Sequence, residues 1–183
     1  MKKIKLYIAA SIDGRIADSS DSSDWLSEFP INEQMNYGYN EFIGSVDTVL
    51  MGGRSYRELL NMDVIWPYKE QTTYVVTRGW TEKATAENVQ FITDNVIETI
   101  SRLRDGSGKD IWLFGGGILL SMLLAADLVD EMQICYVPVI LGTGIPLFPE
   151  QPKESKWEII EHKYYESGII KIDYKRINQW VMT

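Results

Sequence analysis

Apolar positions along the chain fall into short, nearly continuous runs broken by glycine-rich and polar segments. Residues 4–10, 46–51, 72–77, 89–92, 110–114 and 131–140 each read as a strand, and the run 46–51 is apolar enough to be buried on both faces. Between these runs the period changes. Residues 54–60, 95–103 and 118–126 read as helices, and in the second of these Val96, Ile97, Ile100 and Leu103 share one face. Residues 31–45 are predicted as a helix, weakened by Gly38. Residues 11–30 are rich in Ser, Asp and Gly and read as a long loop, a length that in compact domains tends to carry function. Residues 157–165 and 169–176 read as a hairpin that turns at Ser167-Gly168.

Strands that alternate with helices predict a mainly parallel sheet covered on both faces, and the last two strands predict an antiparallel hairpin at its edge. Ligands of such sheets bind beyond the carboxyl ends of the strands. Two glycine clusters, Gly52-Gly53 and Gly115-Gly116-Gly117, stand at such ends. A chain of 183 residues accommodates one domain, read as residues 1–177 followed by a tail at 178–183 whose Trp180, Val181 and Met182 are apolar. That size buries roughly 70% of the unfolded surface, so neither a metal nor a disulfide is needed for stability.

Charge and composition narrow the partners. The net charge of −8 argues against duplex nucleic acid, which calls for a basic stripe, but not against a small phosphorylated ligand. Cys135 is the single cysteine and has no internal partner, which suits a reducing, cytoplasmic compartment. The basic start Met1-Lys2-Lys3 is not followed by an uninterrupted apolar stretch of the signal-peptide kind, and no apolar run reaches membrane-spanning length. His162, the single histidine, is expected on the surface and Cys135 in the core. With no cluster at metal spacing, no metal is expected.

The glycine clusters carry the candidate chemistry. In Leu50-Met51-Gly52-Gly53-Arg54-Ser55-Tyr56 a strand runs into a helix start, whose N–H groups and dipole attract an anion. Arg54 adds a guanidinium fork suited to phosphate. Ser55-x-x-Glu58 also fits a capping box, with the glycines as a simple tight turn, and both readings stand together. Phe114-Gly115-Gly116-Gly117-Ile118 repeats the arrangement with one glycine more than a plain turn requires, which favours close approach of a ligand. Thr77-Arg78 ends a further strand with a hydroxyl and a guanidinium that suit a terminal phosphate.

Taken in order, these segments resemble the dihydrofolate reductase superfamily, and within it the branch of the riboflavin-biosynthesis reductase (C-terminal) domain. The resemblance covers nearly the whole chain. It rests on Ala10-Ser11-Ile12-Asp13-Gly14-Arg15-Ile16-Ala17, Asp24-Trp25-Leu26, Asp47-Thr48-Val49-Leu50-Met51-Gly52, the triple glycine, and Pro138-Val139-Ile140-Leu141-Gly142-Thr143-Gly144. It implies an α/β, dihydrofolate-reductase-like three-layer sandwich, NADPH as hydride donor, a small-molecule substrate and a homodimer. Gly52, Gly53, Arg54 and Ser55 would flank the cofactor pyrophosphate together with Gly115, Gly116, Gly117 and Ile118. Arg54, Thr77 and Arg78 would hold the 2′-phosphate, and Ile16 and Ala17 would pack near the nicotinamide. Ala10, Asp13, Trp25, Gly142 and Gly144 would lie toward the substrate. A cis Gly115–Gly116 peptide is also implied.

The chain departs from the resembled pattern at three places. Gly53 stands where an arginine is usual, so the charge moves to Arg54. Ile118 replaces a basic residue that some reductases carry. The carboxylate that folate reductases place after the tryptophan has no counterpart in register: Pro30 occupies the fifth position after Trp25, Glu28 and Glu33 fall to either side, and Asp13 sits in the loop. Glu28 and Asp13 are therefore the catalytic candidates. The reading is an NADPH-dependent reductase of a small heterocycle, resembling 5-amino-6-(5-phosphoribosylamino)uracil reductase. Dihydrofolate reduction and a non-catalytic NADP(H)-binding module are the alternatives.

Overall fold

A computed structural model of the chain describes residues 1–29, 36–62, 65–79, 84–149 and 153–177. Among them ten strands and four α-helices follow in the order β1 (Ile4–Ser11), β2 (Arg15–Ala17), α1 (Tyr39–Gly44), β3 (Val46–Gly52), α2 (Gly53–Asn61), β4 (Thr72–Val76), β5 (Val89–Ile92), α3 (Val96–Asp105), β6 (Asp110–Gly115), α4 (Gly117–Ala125), β7 (Glu131–Val137), β8 (Ile145–Pro146), β9 (Trp157–Tyr164) and β10 (Ile170–Arg176). Eight of the strands form one sheet in the order β5-β4-β3-β6-β1-β7-β10-β9. The six from β5 to β7 run parallel, and β10 and β9 close the edge as the antiparallel hairpin.

Alternation along the central strands divides the side chains between two faces. Leu50 joins Ile100 of α3 and Leu119, Leu120, Leu123 and Leu124 of α4 in one core. Val49 and Met51 join Phe42 of α1 and Tyr56 of α2 in the other. The molecule is thus a three-layer α/β sandwich, with α3 and α4 on one face of the sheet and α1 and α2 on the opposite one. Val96, Ile97, Ile100 and Leu103 pack together on the sheet, as their spacing predicts.

The two ends of the sheet differ. At the amino end of the strands charges are paired, Lys2 with Asp47, Lys3 with Glu131 and Lys5 with Asp110. At the carboxyl end β3 passes through α2 toward β4, while β6 passes through α4 toward β7. The two connections leave neighbouring strands in opposite directions and on opposite faces, which opens a crevice between them.

Three sequence expectations change. The loop 11–30 contains β2 and a 3-10 turn at Asp24–Glu28. Of the helix predicted over 31–45, residues 31–35 lie outside the described residues, and the described part is helical only from Tyr39, because Gly38 at φ 84° breaks the run. The strand predicted to Ile140 stops at Val137, since Pro138 has no N–H to continue the ladder. The tail at 178–183 lies outside the described residues.

Candidate active site

The register of the strands sets the site. Gly52 of β3 lies opposite Val76 of β4, and Met51 lies opposite Gly115 of β6, so three strand ends finish level. Helix α2 starts after Gly52 and α4 after Gly116, and neither start carries a side-chain cap. Their first N–H groups therefore remain open. The capping box Ser55-x-x-Glu58 does not form: the helix boundary falls at Gly52, and Glu58 instead accepts a hydrogen bond from Arg54 Nε at 3.2 Å.

The two glycine turns face each other. A Cβ on Gly52 would stand 3.6 Å from the Gly116 nitrogen, and one on Gly116 would stand 3.7 Å from Ser55 Oγ. The space between the turns is thus a cradle that one added methyl would begin to fill. The triple glycine divides its roles. Gly115 has φ +119°, and a Cβ on Gly117 would meet Pro149 Cγ at 2.7 Å. Gly116 needs neither a left-handed φ nor that close packing and opens into the cleft. The Gly115–Gly116 peptide is cis, as the resemblance implies.

Packing also accounts for Gly53 in place of an arginine. A Cβ there would lie 3.0 Å from Thr77 Cβ and Oγ1, so the α2 start packs this closely on Thr77 because it has no side chain, and a Cβ would require Thr77 to shift by a few tenths of an ångström. Arg54, the next residue, is half-exposed and pairs with Asp21 of the long loop as well as with Glu58. Arg78 is exposed and has no ion-pair partner among the described residues.

A cleft of about 1150 Å³ runs from these turns across the carboxyl end of the sheet. Ile16, Ala17, Gly52, Gly53, Arg54, Ser55, Thr77, Arg78, Gly116, Gly117, Ile118 and Gly144 all line it. Gly115 does not, and neither do Ala10, Asp13, Trp25, Glu28 and Gly142. Ala10 is fully buried and Glu28 is exposed away from the cleft. Trp25 packs against the cluster of Tyr37, Cys135, Val137 and Ile169, while Leu26 and Phe29 reach the cleft.

Asp13 works as a tie. It accepts hydrogen bonds from Ser11 Oγ at 2.6 Å and from the Leu141 and Gly142 N–H groups at 3.1 and 2.9 Å. Those bonds, the serine's first, pull its pKa down to about 2. Arg15 donates to the Gly144 carbonyl at 3.2 Å, and β2 pairs with β8. A Cβ on Gly144 would overlap the Ala17 carbonyl, and the chain passes there only as glycine. The two strings Ser-x-Asp-Gly-x-Ile-Ala and Pro-x-x-x-Gly-x-Gly are therefore partners, and together they hold Ile16, Ala17 and Gly144 against the cleft.

A large part of the cleft's lining is aromatic. Tyr7, Tyr39, Tyr68, Trp112 and Phe114 wall it, joined edge-on or tilted at centroid distances such as 5.8 Å for Tyr7–Tyr39 and 5.3 Å for Tyr68–Trp112. The sequence reading missed this wall. Its one local signal is the pair Trp112 and Phe114, two apart on β6 and hence on one face, while the other rings come from β1, α1 and the segment before β4. Cys135 is buried, and its thiol is pushed up to about 11 by that burial, so it is a neutral thiol at neutral pH. His162 is exposed, and no group of metal ligands occurs among the described residues.

Known proteins share this architecture. Residues 2–171 match the family described as RibD C-terminal domain. The protein YwjB of Bacillus subtilis (strain 168), itself uncharacterized, is 36% identical over 168 residues, which span 92% of this chain and 95% of YwjB. A crystal structure from Shewanella sp. PV-4, named for riboflavin biosynthesis, superposes with a TM-score of 0.86 at 28% identity, covering 96% of this chain and 99% of that one. A diaminohydroxyphosphoribosylaminopyrimidine deaminase/5-amino-6-(5-phosphoribosylamino)uracil reductase from Thermotoga maritima shares the fold at a TM-score of 0.72 and 16% identity, with this chain covering 57% of it. With its parallel sheet, its opposed glycine turns and its terminal hairpin, the chain belongs to the RibD C-terminal reductase-domain branch of the dihydrofolate-reductase-like superfamily.

Proposed function

We propose that the cleft binds NADPH and that the protein reduces a small heterocyclic or related C=N or C=O compound. The observation that carries this reading is the meeting of two uncapped helix starts across the Gly52–Gly116 cradle, at the point where the sheet connections diverge. The first N–H groups of α2 and α4 suit a pyrophosphate, with Gly53, Ser55, Gly117 and Ile118 beside it and Gly115 shaping the turn from behind. Arg54, Thr77 and Arg78 suit the 2′-phosphate. Bound in this way, NADPH would supply the hydride. The chain's part is to hold donor and acceptor in contact and keep water out, with Ile16, Ala17 and Gly144 on one side and the aromatic wall on the other.

Among the described residues, the carboxylates that line the cleft are Asp21 and Glu58, and both serve Arg54. Asp13 is committed to backbone N–H groups, so the proton is assigned to water or a phenol rather than to a carboxylate. This disfavours dihydrofolate reduction and keeps a non-catalytic NADP(H)-binding module as the rival reading. Steady-state NADPH oxidation against pterins, flavin precursors and aldehydes separates the two. Turnover with one of these classes is expected, and tight NADPH binding without any turnover would favour the module.

The rest of the reading concerns context. Ile159, Ile160 and Tyr164 are exposed on the edge strand β9, and such edges are usually covered. We therefore assign a homodimer through the hairpin. No helix among the described residues is long and apolar enough to cross a membrane. An unpaired, buried thiol suits the cytoplasm.

A further inference from the structure

The two halves of the cleft differ in charge. Arg54 and Arg78 are the cations that line it, and both stand at the end of the glycine turns. Among the described residues no Lys, Arg or His lines the aromatic half. Lys171 and Arg15 do not line the cleft, and both are already engaged: Lys171 pairs with Asp173 at 2.8 Å, and Arg15 donates to the Gly144 carbonyl.

Two hydroxyls in this half are not engaged by any described residue. Tyr7 donates to the Tyr37 carbonyl at 3.1 Å, but the phenol oxygens of Tyr39 and Tyr68 have no hydrogen-bond partner among the described residues. Burial raises the pKa of both phenols, so each remains a neutral O–H donor at physiological pH. Both rings pack edge-on against Trp112, at 5.9 and 5.3 Å between centroids.

This lining has a definite preference. A phosphate placed among these rings would lose its hydration with no cation among the described residues to replace it. An uncharged planar ring would instead bury its surface against the aromatic wall and receive an O–H from Tyr39 or Tyr68 on a carbonyl oxygen. We infer that the aromatic half takes an uncharged, planar, conjugated carbonyl compound, and that it does not accept a phosphoribosyl group as an anchor. This rests on the reading that the glycine-turn half, with Arg54 and Arg78, is filled by NADPH. The Thermotoga protein, whose name specifies a phosphoribosylated substrate, then shares the fold but not the substrate class.

Equilibrium titration tests this on the full chain, with NADP⁺ saturating so that Arg54 and Arg78 are occupied. Three probes are compared: coumarin, 5,6-diaminouracil and 5-amino-6-(5-phosphoribosylamino)uracil. Quenching of tryptophan fluorescence by coumarin is expected, and the phosphoribosylated base is expected to bind no more tightly than the bare base. Tyr39→Phe and Tyr68→Phe, which keep the rings, should together weaken coumarin about tenfold. A tenfold or greater preference for the phosphoribosylated base overturns the inference, as does failure of coumarin to bind or unchanged affinity in the double variant. The NADP⁺ titration in the same samples reads the cofactor assignment separately. If NADP⁺ does not bind, that assignment fails, and the coumarin and diaminouracil arms, run without cofactor, still decide the character of the aromatic half.

Discussion

The two halves of the cleft are built by different means. The glycine-turn half is mostly backbone: two helix starts without side-chain caps, a gap that a Cβ would fill, and two arginines at the rim. The aromatic half is made of side chains contributed by β1, α1, β6 and the segment before β4, locked against one another ring to ring. A backbone site depends on where glycine is placed, and it can be shared by chains whose side chains have diverged. A site built of side chains can change its preference one residue at a time. The difference teaches that the family shows itself in the first half of the cleft, while the second half is where we propose that the substrate is selected.

The sharpest way to break this contrast is to add one carbon to the backbone half. Gly116 has φ −79°, and its new Cβ would meet nothing closer than Ser55 Oγ at 3.7 Å, so the fold tolerates alanine there. The same carbon would stand where we propose that the pyrophosphate binds. Gly116→Ala is expected to weaken NADPH about 100-fold, roughly 2.7 kcal/mol, with a melting temperature close to that of the wild type. Calorimetric titration beside thermal melting checks this, and an unchanged affinity would remove the cradle from the site.

The rim arginines come next. A charge-assisted contact to the 2′-phosphate is worth about 1.5–3 kcal/mol, and the lower figure suits exposed groups. Arg78→Ala and Arg54→Ala should each cut the preference for NADPH over NADH by about tenfold, which paired titrations with the two cofactors would read. Equal affinity of the wild type for the two cofactors contradicts the assignment at once.

Asp21 gives a smaller effect of opposite sign. It holds Arg54 in an exposed pair, and such pairs are worth about 0.2–1 kcal/mol. Asp21→Asn frees the guanidinium and should tighten NADPH by about two- to fivefold. A loss of affinity would show that the pair organises the site rather than competing with the cofactor.

The smallest effect lies in the tie that holds Ile16, Ala17 and Gly144 against the cleft. Asp13 has a folded pKa of about 2, below its ordinary value of 3.8. Its carboxylate therefore stabilises the fold above pH of about 4, and that contribution is lost as pH falls toward 2. Asp13→Asn should melt at a lower temperature than the wild type at pH 7, and the two should converge near pH 2. A constant difference across that range would rule out the carboxylate as the cause.

The same division governs how much could be read in advance. The parallel core, the hairpin and both glycine turns are legible because short apolar runs and glycine positions are local properties of the chain. Gly116 and Arg54 follow from them directly. Asp13 was legible as a residue with a job, but its job is to bind the Leu141 and Gly142 N–H groups, and only the fold brings those N–H groups to it. Ala10 and Trp25 sit in motif positions but pack behind the cleft rather than facing it. Tyr39 and Tyr68 carry no motif at all. They matter because Trp112, remote in sequence from both, stands between them, and no local pattern encodes that meeting.

The most direct test of the backbone half is a chemical-shift titration of amide-labelled protein with NADP⁺. The account predicts that the amides of Gly53, Arg54, Gly117 and Ile118 shift together, with one dissociation constant, because a single pyrophosphate lies between the two helix starts. Shifts at only one helix start, or at neither while the protein remains folded, would contradict it.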